Sequence, residues 1–191
     1  MPQLPPPPSK RRTEARVSKL EQLCDRLLTD PRLGEITTES PSFSERVICQ
    51  HVQAVLDDYV RESFRPKVLR DVTWGQVSNG SPMPCVELAG HHYYPDHIIL
   101  KRDFSVALEV KRYTGQSSVL QQVVGQSVIY AKRYGFVIAF IADVTPKGSL
   151  AKQIHAEEQP LNDDWLMSEL WWYHNTAVVC RHVHERFTSS L

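Results

Sequence analysis

The stretch Tyr93–Gly115, YYPDHIILKRDFSVALEVKRYTG, constrains this chain more than any other. It reads as two strands, Tyr93–Leu100 and Ser105–Tyr113, joined by a short polar turn. Val106, Leu108 and Val110 alternate with small Ser105 and Ala107 right up to Glu109. Ile98 and Ile99 offer apolar groups to both faces, as a central strand does. A surface hairpin with merely solvated charges has no need of that apolar framing, and a carboxylate inside such a strand needs a partner. Along the second strand, Glu109 and Lys111 project to one side and Val110 to the other. With an even loop, either Arg102-Asp103 or Lys101–Phe104, Asp96 falls directly opposite Glu109. An odd loop shifts the register by one and parts them. Opposed Cβ atoms lie roughly 4.5–5.5 Å apart, close enough for two carboxylates to repel strongly or to share a cation.

Two facing carboxylates with a lysine two residues on suit a hard cation with an ammonium beside it. Mg²⁺ takes oxygen ligands and often only one or two protein carboxylates, completing its octahedron with water and phosphate. Such an ion can generate hydroxide and stabilise the charge of phosphodiester hydrolysis. Lys111 can orient the attacking water or neutralise the transition state.

Pro95-Asp96, followed thirteen positions later by Glu109-Val110-Lys111, resembles the PD-(D/E)xK nucleases, which include restriction enzymes, Holliday-junction resolvases and RecB-like exonucleases. The resemblance spans about Phe43 to Val144. It implies a restriction-endonuclease-like α/β fold, a mixed central sheet flanked by helices. It also implies Mg²⁺ or Mn²⁺ as cofactor, with Asp96 and Glu109 as metal ligands joined by the Val110 carbonyl, and Lys111 acting on the attacking water. The activity implied is phosphodiester hydrolysis, preferentially of DNA. RNA cleavage by the same machinery is one alternative, and a non-catalytic nuclease-like module that binds nucleic acid or protein is another.

Length and composition set the frame. At 191 residues the chain makes one domain, large enough to bury a good core. Residues 1–16 read as a leader, and residues 17–191 as a single nuclease-like domain with a C-terminal helix–strand extension. Pro5–Pro8 favours an extended, unpacked leader. Its Lys10-Arg11-Arg12 cluster reads as a solvated tail, a phosphate contact or a nuclear address. The formal net charge is zero, from 22 basic and 22 acidic residues, so the balance gives no general support for nucleic-acid binding. Cys24, Cys49, Cys85 and Cys180 are scattered without a CxxC pair, which suits reduced thiols inside a cell. No apolar run is long enough for a membrane span, so no membrane partner is expected.

Val17–Leu28 carries apolar residues at helical spacing, and Pro31 and Gly34 end it. A second helix is expected over Phe43–Val60. Ser42-Phe43-Ser44-Glu45 has capping-box form, which accounts for Glu45, although many PD-(D/E)xK nucleases bring a glutamate of the first core helix to the metal. A strand is expected over Lys67–Trp74, a turn at Asn79–Pro82, and another strand over Cys85–Ala89 that completes a three-stranded meander. His91, His92 and His97 lie near Asp96, and His91 and His92 read as loop residues. A helix starting at Ser117 or Ser118 runs to about Tyr134, with Ser118 and Gln121 at capping-box spacing and Gly135 as its stop. Gln122, Gln126 and Tyr130 share one stripe of it. Gln126-x-x-x-Tyr130 resembles the QxxxY motif of RecB-like nucleases, where it helps position the active site and nucleic acid. Otherwise the stripe is a polar helix edge. Lys132 and Arg133 meet phosphate or complement the helix C-terminus.

Phe136–Val144 reads as a buried strand, returned to the sheet by a crossover, and Leu150–Glu158 as a short helix. Asn162-Asp163-Asp164 caps a last helix bearing Trp165, Leu166, Leu170, Trp171 and Trp172. These side chains cover the core or form a homodimer contact, in preference to stacking bases. Ala177–Glu185 reads as a terminal strand with Cys180, His182 and His184 on one face. They are competent zinc ligands, but without a second cluster they make a poor closed site.

Overall fold

The computed structural model describes residues 13–38, 44–77, 85–155 and 164–187. In chain order the elements are α1 (Glu14–Thr29), α2 (Pro31–Gly34), β1 (Glu35–Thr38), α3 (Glu45–Ser63), α4 (Pro66–Leu69), β2 (Thr73–Gln76), β3 (Val86–Leu88), β4 (His91–Tyr93), β5 (His97–Lys101), β6 (Phe104–Tyr113), α5 (Ser117–Tyr130), β7 (Phe136–Asp143), α6 (Ser149–His155), α7 (Asp164–His174), β8 (Thr176–His182) and β9 (His184–Phe187).

Five strands form one mixed sheet in the order β2-β5-β6-β7-β8. The first three are antiparallel neighbours, while β7 and β8 join in parallel. Every position of β7 is buried, as befits an interior strand of a two-faced sheet that runs through seven apolar residues before Asp143. On one face Val106, Leu108 and Val110 pack with Ile138 and Phe140 against α1 and α3, through Leu23, Ile48 and Val52 among others. On the other face Ala107 meets Tyr130 and Tyr134, while Ala139 and Ile141 meet Val123, Leu150 and Ala151. The fold is therefore a mixed α/β sheet flanked by helices, as the sequence predicts at that level.

The hairpin turns on two residues, Arg102-Asp103, because Lys101 pairs with Phe104 and His97 with Leu108. This is the even register, and it brings Asp96, just ahead of β5, to the level of Glu109.

Several boundaries differ from the sequence reading. Helix α1 starts at Glu14, so residues 14–16 belong to it and not to the leader. Lys67–Trp74 is not one strand. Pro66 instead opens the short helix α4, a position where its missing N–H costs nothing, and β2 is confined to Thr73–Gln76. The Cys85–Ala89 segment does not join the central meander, whose third strand is β2. Its residues Val86–Leu88 pair with His91–Tyr93 as a separate two-stranded sheet, so the strand expected from Tyr93 is interrupted before His97. The turn between β3 and β4 is Ala89-Gly90, with φ of 52° and 77°, the left-handed pair of a type I′ hairpin. His91 and His92 accordingly sit in a strand, and both are exposed.

The Ser118–Gln121 box does not form, because Ser118 lies inside α5. Ser44 and Gln116 precede α3 and α5, and neither side chain caps its helix. Helix α5 ends at Tyr130, four residues early, and Ala131–Arg133 form a turn. The expected terminal strand divides at Val183, where the chain leaves β8 and pairs β9 in parallel with β1. In α7, Leu170 is buried and Trp171 stacks on Phe136 with ring centroids 6.5 Å apart, whereas Trp172 is exposed. The aromatic cluster is thus only partly core. The leader to Arg12, Ser42, the Asn79–Pro82 turn, residues 156–163 and the side chains of Trp165 and Leu166 lie outside the described residues.

Candidate active site

The site forms at the start of β5, where β6 continues past it. Pro95 is buried and Asp96 follows it, so the carboxylate is delivered by a fixed bend just as the β5–β6 ladder ends. Asp96 Oδ2 accepts the Val110 N–H at 2.7 Å. A strand residue directs its N–H and C=O to the same neighbour, so the Val110 carbonyl opens toward Asp96 as well. Glu109, on the opposite face of β6 from Val110, is 2% exposed. Its Oε1 lies 2.6 Å from Lys111 Nζ. The Tyr130 hydroxyl lies close to the carboxylate but spends its one proton on the Tyr94 carbonyl, so Oε2 is buried without a donor of its own.

Glu45 stands on the far side of Lys111. As the first residue of α3, it places Oε1 at 3.3 Å from Lys111 Nζ, and its Oε2 accepts the Arg112 N–H at 3.4 Å. The capping assignment therefore gives way to a place in the site. Arg112 in turn donates to Glu185 Oε1 at 2.7 and 3.2 Å, tying β6 to β9. Sequence reasoning missed that tie, because nothing local predicts a partner 73 residues away.

Burial, then the neighbouring Asp96, pushes the Glu109 carboxyl up to about 7 against the pull of Lys111. Asp96 is also raised by burial, opposed by the Val110 N–H and Lys111. Burial alone would lower Lys111, but Glu109, Asp96 and Glu45 outweigh it and hold the ammonium above its ordinary range. The Tyr130 phenol is raised by burial and then by Glu109. Its hydroxyl donates to the Tyr94 carbonyl at 2.8 Å, which pins the segment leading into Asp96. One turn earlier, Gln126 is half-buried with an Oε1 that has no partner. The stripe thus faces the interior at Gln126 and Tyr130, while Gln122 is exposed. Arg133 donates to the Cys85 carbonyl at 2.6 Å, rooting the β3–β4 hairpin, and Lys132 is exposed.

No family model, curated protein or solved structure matches this chain. The site is therefore read on its own chemistry. Two carboxylates, a carbonyl on the same strand edge and a buried, unpartnered carboxylate oxygen fit a hard cation of the Mg²⁺ or Mn²⁺ type. Among the described residues, no group of three His, Cys, Asp or Glu side chains is arranged to hold an ion by itself. The arrangement suits an ion that keeps waters and shares its coordination with a substrate, not a closed protein cage.

Cys180, His182 and His184 do not make the alternative zinc site. Cys180 is fully buried, His182 Nε2 contacts the Thr145 carbonyl at 3.0 Å, and His184 lies beyond the break at Val183. The two rings lie tilted at 56° with centroids 4.2 Å apart, and among the described residues no third ligand joins them.

Proposed function

We propose that this protein is a divalent-metal-dependent nuclease that hydrolyses phosphodiester bonds, with DNA as its preferred substrate. The observation that carries the reading is the convergence of Asp96, Glu109 and Lys111 at the end of the β5–β6 ladder, with Glu109 Oε2 buried and unpartnered. The preference for DNA follows the resemblance to PD-(D/E)xK nucleases. Asp96, Glu109 and the Val110 carbonyl would hold Mg²⁺ or Mn²⁺. Bound there, the ion supplies an activated water and positive charge for the scissile phosphate.

The chain's own residues do the rest. The Val110 N–H fixes one oxygen of Asp96 and leaves the other free to coordinate. Lys111 stays charged between Glu109 and Glu45, so its ammonium is already oriented when a phosphate oxygen or attacking water arrives, with little left to reorganise. Glu45 steadies that ammonium. Tyr130 fixes the Tyr94 carbonyl and hence the bend that presents Asp96, while Gln126 offers a carbonyl oxygen to substrate or to Lys111. The four free cysteines suit action inside a cell. Among the described residues no helix is long and apolar enough to cross a membrane.

Cleavage of linear, circular, single-stranded and branched DNA, and of RNA, with Mg²⁺ or Mn²⁺ tests the proposal. Metal-dependent cleavage that Lys111→Ala or Asp96→Asn reduces by about 10²-fold or more supports it. Wild-type protein that cuts none of these substrates overturns it in favour of a binding module.

A further inference from the structure

Behind Asp96 lies a buried histidine that the reaction chemistry does not use. His97, the first residue of β5, is 0% exposed. Its ring faces α3, where Nε2 lies 3.1 Å from the Cys49 carbonyl. A carbonyl only accepts, so Nε2 carries the proton and Nδ1 is bare; Nδ1 is buried and has no partner. An apolar side chain would fill this slot without stranding a polar atom. The imidazole therefore needs a reason, and the Nε2–H bond is the one the structure offers.

That bond reaches an informative place. Cys49 sits one helical turn after Glu45, the residue that opens α3 and reaches Lys111 Nζ and the Arg112 N–H. Asp96 is the neighbour of His97 in the chain. One hydrogen bond thus spans the two supports of the site, the start of β5 and the first turns of α3. The rest of α3 is held by packing of Val52, Val55 and Leu56 and by bonds two or more turns beyond Cys49, from Trp74 to Asp57 and from Tyr59 to the Lys19 carbonyl. These leave the first turn to be set by contacts nearer to it, and packing specifies a slide along the axis less sharply than a directional bond does.

We infer that His97 is a positioning residue whose Nε2–H, bonded to the Cys49 carbonyl, sets the first turn of α3 so that Glu45 meets Lys111 and the Arg112 amide. Its effect on cleavage rests on the nuclease reading, but the structural link from His97 to Glu45 does not, and the test separates the two.

The variants are His97→Phe, which fills the slot without a donor, His97→Gln, whose amide can return an N–H to the Cys49 carbonyl, and Glu45→Gln alone and combined with His97→Phe. Amide exchange of Arg112 is followed in each, with the β7 amides as internal reference. His97→Phe should speed Arg112 exchange about as much as Glu45→Gln does, leave β7 protected, and be largely reversed in His97→Gln. In cleavage, His97→Phe should lower kcat roughly tenfold with little change in KM, and add less than about twofold to the loss in Glu45→Gln, because residues acting through one another are not additive. Unchanged Arg112 exchange in His97→Phe, or effects that simply multiply with Glu45→Gln, overturns the inference. So does an apolar residue at 97, Phe or Leu, that prevents folding altogether, since His97 would then serve the core and not the site. A wild type that cleaves nothing sinks the nuclease reading alone, because Arg112 exchange still decides the role of His97.

Discussion

Glu109→Gln gives a test of the site that needs no substrate. The Glu109 carboxyl moves from 4.5 to about 7 on folding, chiefly through burial and then through Asp96. A carboxyl raised on folding binds its proton more tightly in the native state, so its contribution to stability is complete below pH 4.5 and is lost as pH rises through 7. The shift corresponds to ~3 kcal/mol at about 1.36 kcal/mol per pH unit. Glu109 is 2% exposed, so solvent screening takes little of it away. For a domain of this size the loss is roughly 6–12 °C in Tm. The measurement is urea unfolding of metal-free wild type and Glu109→Gln at intervals between pH 4.5 and 8, where the difference reports the titration that Glu109 shares with Asp96. Wild type should lose ~3 kcal/mol relative to the variant, with the steepest change between pH 5 and 7. With Mg²⁺ or Mn²⁺ added, the wild-type curve should flatten, because a cation favours the ionised carboxylates and binds only the folded site. Parallel curves for the two proteins without metal would refute the picture of a buried Glu109 crowded by Asp96, whatever the protein does.

Other perturbations address separate parts of the argument. Asp96→Asn should weaken the metal-induced rise in Tm, whereas Cys180→Ser and His182→Ala should leave it intact; a response that survives at Asp96 and vanishes at His182 puts the ion elsewhere. Tyr130→Phe removes a donor from the Tyr94 carbonyl and should cost about 1 kcal/mol in denaturant unfolding, while lowering cleavage without abolishing the metal response. Ala89→Asn should raise stability by about 0.5 kcal/mol, since Ala89 holds a left-handed φ at a type I′ position that favours Asn before Gly; a fall in Tm would argue against that turn.

How far the sequence reveals this protein depends on the range of each determinant. The β5–β6 register follows from local information, a two-residue polar turn and side chains that must alternate, so the level of Asp96 and Glu109 is readable. The same holds for β7, whose seven apolar residues ahead of Asp143 admit only a buried strand. The failures have long-range causes. A strand-like pattern after Pro66 gives way to α4 because proline suits the first helical turn and the sheet takes only Thr73–Gln76. The end of β8 is set by β1, about 150 residues earlier, which captures His184–Phe187 as a parallel partner. No periodicity within Ala177–Glu185 encodes that exchange of sheets. Glu45 is the most instructive case. Its spacing from Ser42 matches a capping box, and a local rule that accounts fully for a residue gives no cause to look further. The helix instead begins at Glu45 itself. A carboxylate at the first position points outward from the helix end, free to reach Lys111 across 66 residues of chain. The helix start therefore decides between a residue that serves its own helix and one that serves the site. A shift of α3 by a single residue would turn Glu45 about 100° around the axis, away from Lys111. The hydrogen bond from His97 to the next turn of α3 bears directly on that choice.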